Sequence, residues 1–140
     1  RVRKAMLHLT THSKATTDMR GVESSLYRGR FFAASKESIR RCIVKRESEG
    51  QYDVRGGGGN RYFSAYQMSD PLADGATHMM LREHKKILGT KTARSLMKQL
   101  RATPPNAWPR YWQDAALSTV YNGESPGSGA RHRAGGRWHC

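Results

Sequence analysis

Long apolar runs are missing from this sequence of 140 residues. Its longest aromatic-rich patch is Phe31-Phe32-Ala33-Ala34, far short of the roughly 20 residues needed to cross a bilayer, so no membrane span is expected. Metal-ligand spacings are missing too. There is no Cys-x-x-Cys pair and no His-Glu-x-x-His, and His132, His139 and Cys140, although close in sequence, do not form such a pattern, so no metal is expected. The glycines Gly56 to Gly59 are not followed by the Gly-Lys-Ser/Thr of a phosphate cradle, and no cofactor is implied. No internal repeat occurs. The chain opens on Arg1 without a signal-peptide core, so a targeting segment, if there was one, has been removed or left out. A chain of this length holds one domain with a modest core, and one active site is sought.

Acidic residues are also scarce, 11 against 25 Lys and Arg, for a formal net charge of +14. Such a surplus favours a polyanionic partner: nucleic acid, anionic lipid, or a cell wall carrying acidic polymers. It is concentrated early, since residues 1–46 hold 12 Lys/Arg against 3 acids and residues 47–140 hold 13 against 8. Only two cysteines are present, Cys42 within a predicted helix and Cys140 at the last position. A Cys42–Cys140 disulfide is expected over two free thiols, and a bridge implies an oxidising compartment.

Along the chain, residues 1–34 show no sustained period and read as a basic N-terminal extension. From Ser35, which can cap a helix, Ile39, Cys42 and Ile43 share a face and Gly50 supplies a stop, which predicts a helix over about 36–49. Tyr52-Asp53-Val54-Arg55, the glycine run and Arg61 to Met68 read as one short β-hairpin. Asp70-Pro71 looks like an N-cap and first helical residue, opening a helix to Gly89; another follows from Thr90 through Leu100. Thr103-Pro104-Pro105 breaks the pattern, and Trp108, Trp112, Ala115, Ala116 and Thr119 mark a last helix ending near Asn122-Gly123. Trp108 and Trp112, four apart, are read as core. The fold class is therefore α+β, mostly α, with the domain over 35–140.

Glu47 stands out because Ile39, Ile43 and Glu47 are each four apart, so a carboxylate follows the apolar stripe into the last helical turn. Burial disfavours its charged form, and the negative helix end pushes the same way. Both raise the pKa, as a general acid working near neutral pH requires. The competing reading is a carboxylate paired with Arg46, Arg61 or another cation.

The segments Cys42-Ile43-Val44-Lys45-Arg46-Glu47-Ser48-Glu49-Gly50-Gln51-Tyr52 and Tyr62-Phe63-Ser64-Ala65-Tyr66-Gln67-Met68, flanking a glycine-rich turn, resemble the catalytic region of the resuscitation-promoting factors and related lysozyme-like lytic transglycosylases. There a Glu-Ser-Gly-Gly-Asn-Trp stretch ends the catalytic helix, and a hairpin leads to an aromatic-Gly-Gly-Leu-Gln-Phe stretch lining the glycan cleft. Glu47, Ser48, Gly50 and Gln67 match; Glu49, Gln51, Tyr52 and Ser64-Ala65-Tyr66 depart. The likeness covers about residues 36–70. It implies a lysozyme-like domain that cleaves peptidoglycan between N-acetylmuramic acid and N-acetylglucosamine, secreted and associated with the cell wall. It also implies one Glu serving as acid and then base, with the substrate acetamido group steadying the developing cation and the muramyl 6-hydroxyl closing an anhydro ring.

A hydrolase with two carboxylates would need a second acid, and Asp53 is the only one between Tyr52 and Met68. Gln67 is a candidate for the sugar acetamide, and Tyr62, Tyr66 and Tyr121 are candidates for stacking on sugar rings. Two rivals remain at this point. One is a nucleic-acid-binding protein using Arg28 to Arg46 against phosphates, and the other is a catalytically inactive wall-binding module of the same fold.

Overall fold

The Ile39/Ile43 stripe winds into α1, Glu37–Ser48, in a computed structural model that describes residues 24–52, 54–56, 62–123 and 140. Ser35 does not cap this helix. It lies in a 3₁₀ turn, Ala34–Lys36, and Lys36 takes the N-cap position with no side-chain bond, leaving Glu37 in the first turn where the helix dipole favours an acid. The stop is shared by two residues. Glu49 is left-handed at φ 55° and Gly50 at φ 87°, and their amides donate to the Lys45 and Val44 carbonyls, closing the orphan groups of the helix end.

The expected hairpin is instead a three-stranded antiparallel meander of two-residue strands: β1 Arg55–Gly56, β2 Tyr62–Phe63 and β3 Met68–Ser69, in that order. Tyr62 pairs with Gly56 on one side and Ser69 on the other. The continuous strand expected over 61–68 breaks because Ser64 and Gln67 both take positive φ, 74° and 50°, and the Gln67 amide donates to the Ser64 carbonyl at 3.1 Å.

Three helices complete the domain: α2 Asp70–Leu88, α3 Thr90–Arg101 and α4 Arg110–Asn122. Ser69, one residue before the expected cap Asp70, caps α2 by accepting from the Leu72 amide, with Pro71 in the first turn. Gly89 alone joins α2 to α3 at φ 86°, so the two helices double back and the Arg101 guanidinium reaches the Thr77 hydroxyl at 3.0 Å. Trp108 precedes α4 after a 3₁₀ turn, Pro105–Ala107, and its indole donates to the carbonyls of Leu100 and Thr103.

The core centres on α4, whose residues from Arg110 to Val120 are all buried, Trp112 completely. Around Trp112 pack His84, 4.6 Å between ring centroids, and Tyr111, 4.9 Å and edge-on. Neutral His84 donates from Nδ1 to the Met80 carbonyl and accepts at Nε2 from Tyr111, and burial lowers its pKa. The boundary expected at residue 35 falls inside packed structure. Tyr27 is fully buried, donates to Glu83 at 2.6 Å and stacks edge-on against Tyr111, so the segment from Ser25 belongs to the core.

Cys42 and Cys140 form a disulfide with Cα atoms 6.1 Å apart. It closes a loop across a sequence separation of 98, for which the chain-entropy model gives a stabilisation of about 4–5 kcal/mol. Urea denaturation of the oxidised protein against a Cys42→Ser/Cys140→Ser variant is expected to show a loss of that order; a loss under about 1 kcal/mol would mean that the bridge does not constrain the unfolded chain.

Candidate active site

Glu47 sits in the last turn of α1, one residue before Ser48, which closes the helix with its hydroxyl bonded to the Val44 carbonyl at 3.1 Å. It is half-buried, while Lys45 and Arg46 beside it are exposed. The left-handed pair Glu49 and Gly50 then turns the chain so that Tyr52 runs into the core and the sheet follows. A carboxyl in this position is reached by solvent yet held by a helix that the disulfide and the core both anchor, which suits a group that must give up and take back a proton.

The other residues singled out from the sequence fare differently. Tyr62, on β2, is half-buried, with the fully packed Phe63 turned to the opposite face of the sheet. Tyr121 is half-buried near the end of α4, beside Phe32 and Lys36 around a hollow of about 10 Å³, room for a single water. Tyr66 is not open to a sugar. It is completely buried, and its hydroxyl donates to Asp114 at 2.6 Å. Gln67, expected at a cleft wall, is only 7% exposed, and its side-chain amide donates to the Ser64 carbonyl at 3.0 Å, so it supports the β2–β3 turn. Asp53 lies outside the described residues, as do His132 and His139. Among the described residues no group of three His, Cys, Asp or Glu side chains is placed to hold a metal.

The principal site feature not anticipated is Asp114. Its carboxylate is fully buried on α4 and accepts from Tyr52 and Tyr66 at 2.6 Å each through Oδ1 and from the Leu26 amide at 2.8 Å through Oδ2. Burial raises its pKa, and the Arg40 charge with the two phenols and the amide pull against that rise. Burial and the same carboxylate push both tyrosines well above their ordinary pKa, so both remain donors. Arg40 donates to Tyr66 at 3.1 Å and pairs with Glu37, linking α1 to the network. Next to Asp114, Gln113 donates to the carbonyls of Tyr52 and Trp108 at 2.9 Å and accepts from the Ala65 amide at 3.1 Å. No substrate reaches this cluster; its work is to fix the β-region and the approach of residues 24–27 to α4. The rule that singled out Glu47, a carboxylate among apolar helix residues, applies equally to Asp114 between Trp112 and Ala115, and was the available signal.

A second hollow, about 310 Å³, lies between the start of α2 and the end of α3, with Asp70, Asp74, Leu100, Arg101 and Trp108 in its wall; Glu47 lines neither hollow. No protein-family model matches the chain, and no curated protein or solved structure is significantly similar to it.

Two outcomes test this arrangement. Burial works to raise the Glu37 pKa, but the Arg40 hydrogen bond, the Ser25 amide and nearby positive charge outweigh it and hold the carboxyl below its ordinary 4.5. Its stabilisation is therefore complete above that value and drains away as pH falls through the lower folded value. Urea titrations are expected to show Glu37→Gln costing about 2 kcal/mol at pH 7, with the gap to the parent narrowing as pH is lowered from about 4.5. A gap constant with pH would refute the ion-pair account. Ser64, at φ 74° with a buried hydroxyl that has no hydrogen-bond partner among the described residues, is strained where glycine would rest easily. Ser64→Gly should raise stability by about 1 kcal/mol in thermal or chemical unfolding.

Proposed function

We propose that the protein is a peptidoglycan-cleaving glycosidase of the lytic transglycosylase or muramidase type, acting outside the cytoplasm with Glu47 as its single catalytic acid. The observation that carries this reading is the half-buried carboxyl in the last turn of α1, followed by a left-handed pair and a small antiparallel meander. Helix end, turn and sheet come in the order that the likeness to resuscitation-promoting factors and lysozyme-like transglycosylases requires. Ser64, although a departure in residue type, agrees with the same likeness in its backbone. It stands where that likeness has the first glycine of aromatic-Gly-Gly-Leu-Gln, and its backbone adopts the left-handed conformation that glycine adopts readily. The disulfide agrees with an oxidising compartment.

In this mechanism Glu47 protonates the glycosidic oxygen between N-acetylmuramic acid and N-acetylglucosamine while the substrate acetamido group stabilises the cationic carbon. The same carboxylate then accepts the proton of the muramyl 6-hydroxyl as it closes the anhydro ring, or of a water in hydrolysis. Tyr62, on the more open face of β2, is the aromatic best placed to stack on a sugar. Tyr66 and Gln67 shape the wall from behind, through Asp114 and the Ser64 carbonyl.

Digestion of purified peptidoglycan, with released fragments weighed by mass spectrometry, tests the reading. The parent is expected to release anhydromuropeptides and Glu47→Gln to lower the rate at least about a thousandfold while unfolding normally. Reducing-end products would indicate hydrolysis and bring Asp53 forward as the second acid. Absence of fragments from the folded, oxidised parent would refute cleavage and favour a wall-binding module.

A further inference from the structure

The α3 helix carries four cations and no acid: Lys91, Arg94, Lys98 and Arg101, spaced three, four and three residues apart. That spacing sets them in one stripe, about 15 Å long with a charge every 5 Å or so, opposite the buried Ala93, Leu96, Met97 and Leu100. All four are exposed, and neither the Arg40–Glu37 nor the His78–Asp74 ion pair involves them; Arg101 also donates to Thr77 and shares the wall of the second hollow with Asp70 and Asp74. A helix face that merely meets water is ordinarily laced with opposite charges four apart. Here each neighbouring pair repels and Lys91 lies at the positive end of the helix, while Lys98 and Arg101 in the last turn are favoured by the dipole.

The remaining exposed side chains of α3 narrow the partner. Thr90, Thr92, Ser95 and Gln99 are small or polar, with no aromatic ring on which a nucleobase would stack, and the exposed Ile87, three residues before α3, is a single apolar side chain where a lipid surface calls for an apolar face. On α3 itself the cations form a single row, which fits one extended chain of phosphates. We infer that α3 docks a base-free phosphodiester chain, a polyol-phosphate polymer of the cell wall, and so holds the protein on its substrate. The choice of this polymer rests on the cell-wall reading above; the binding itself needs nothing from Glu47.

The probe is a fluorescently labelled glycerol-phosphate oligomer of eight or more units, titrated by anisotropy into the full oxidised Glu47→Gln chain at several salt concentrations. Binding is expected to weaken with salt at a log–log slope of about 3 if four phosphates are neutralised. The Lys91→Gln/Arg94→Gln/Lys98→Gln variant, which keeps good helix formers and leaves Arg101 on Thr77, should bind at least tenfold more weakly with a slope lower by about 2. Lys91→Arg/Lys98→Arg should bind as the parent does. In the Glu47 background, the triple variant should still cleave small soluble glycans, which separates loss of docking from loss of catalysis. Unchanged affinity and slope in the triple variant would overturn the proposal, as would tighter α3-dependent binding of a single-stranded oligonucleotide with the same number of phosphates, or of phosphatidylglycerol vesicles.

Discussion

A single buried carboxylate organises this small domain. Asp114 gathers donors from three separate stretches of chain: Leu26 near the start of the described segment, Tyr52 just after α1, and Tyr66 between β2 and β3. An acid removed from water is expensive, and one satisfied by two phenols and an amide, with Arg40 close by, is tolerable only when all of them are in place. The strands are two residues long and cannot hold themselves together, so the β-region takes its position from Asp114 and its neighbour Gln113, which bridges Tyr52, Ala65 and Trp108. The path from α1 to the sheet, on which the Glu47 reading depends, is thus fixed from α4.

The helices were legible in the sequence because apolar spacing, glycine and proline act locally. Ile39 and Ile43, Gly89, and the Pro104-Pro105 break each mark an element within a turn or two of its observed limits. Caps were less legible. Ser69 and Asp70 are adjacent good caps, and only the Leu72 amide, reached from Ser69, separates them. The sheet was misread because an aromatic-rich segment after a glycine run resembles a hairpin strand, whereas Ser64 and Gln67 take positive φ in a turn whose Ala65 amide and Tyr66 hydroxyl are held by Gln113 and Asp114.

Site residues divided along the same line. Glu47 was singled out because it follows Ile39 and Ile43 at four-residue spacing, yet the buried face of α1 runs through Arg40, Ile43, Val44 and Ser48 and leaves Glu47 half-buried beside it. The burial of Tyr66 and Gln67 depends on partners 48 residues away for Tyr66 and on a turn set by tertiary contacts for Gln67, neither of which leaves a trace in local sequence. Tyr27 was assigned to an extension for the same reason: its burial is conferred by Glu83 and Tyr111 across the fold.

The Cys42–Cys140 bridge makes a covalent ring that contains every strand and the three helices α2, α3 and α4, and enters α1 at its middle. Residues 24–41 hang outside that ring and are attached to the rest by Tyr27, the Leu26 amide and the Arg40 network as well as by the chain itself. A protease that cuts once inside the ring leaves the two pieces joined, with α1 still tethered, until a reductant arrives. A cut outside it leaves what lies upstream held by those non-covalent contacts alone. The second half of α1 is therefore guarded against nicking on the side of the strands and of α2 to α4, and exposed to it on its N-terminal side.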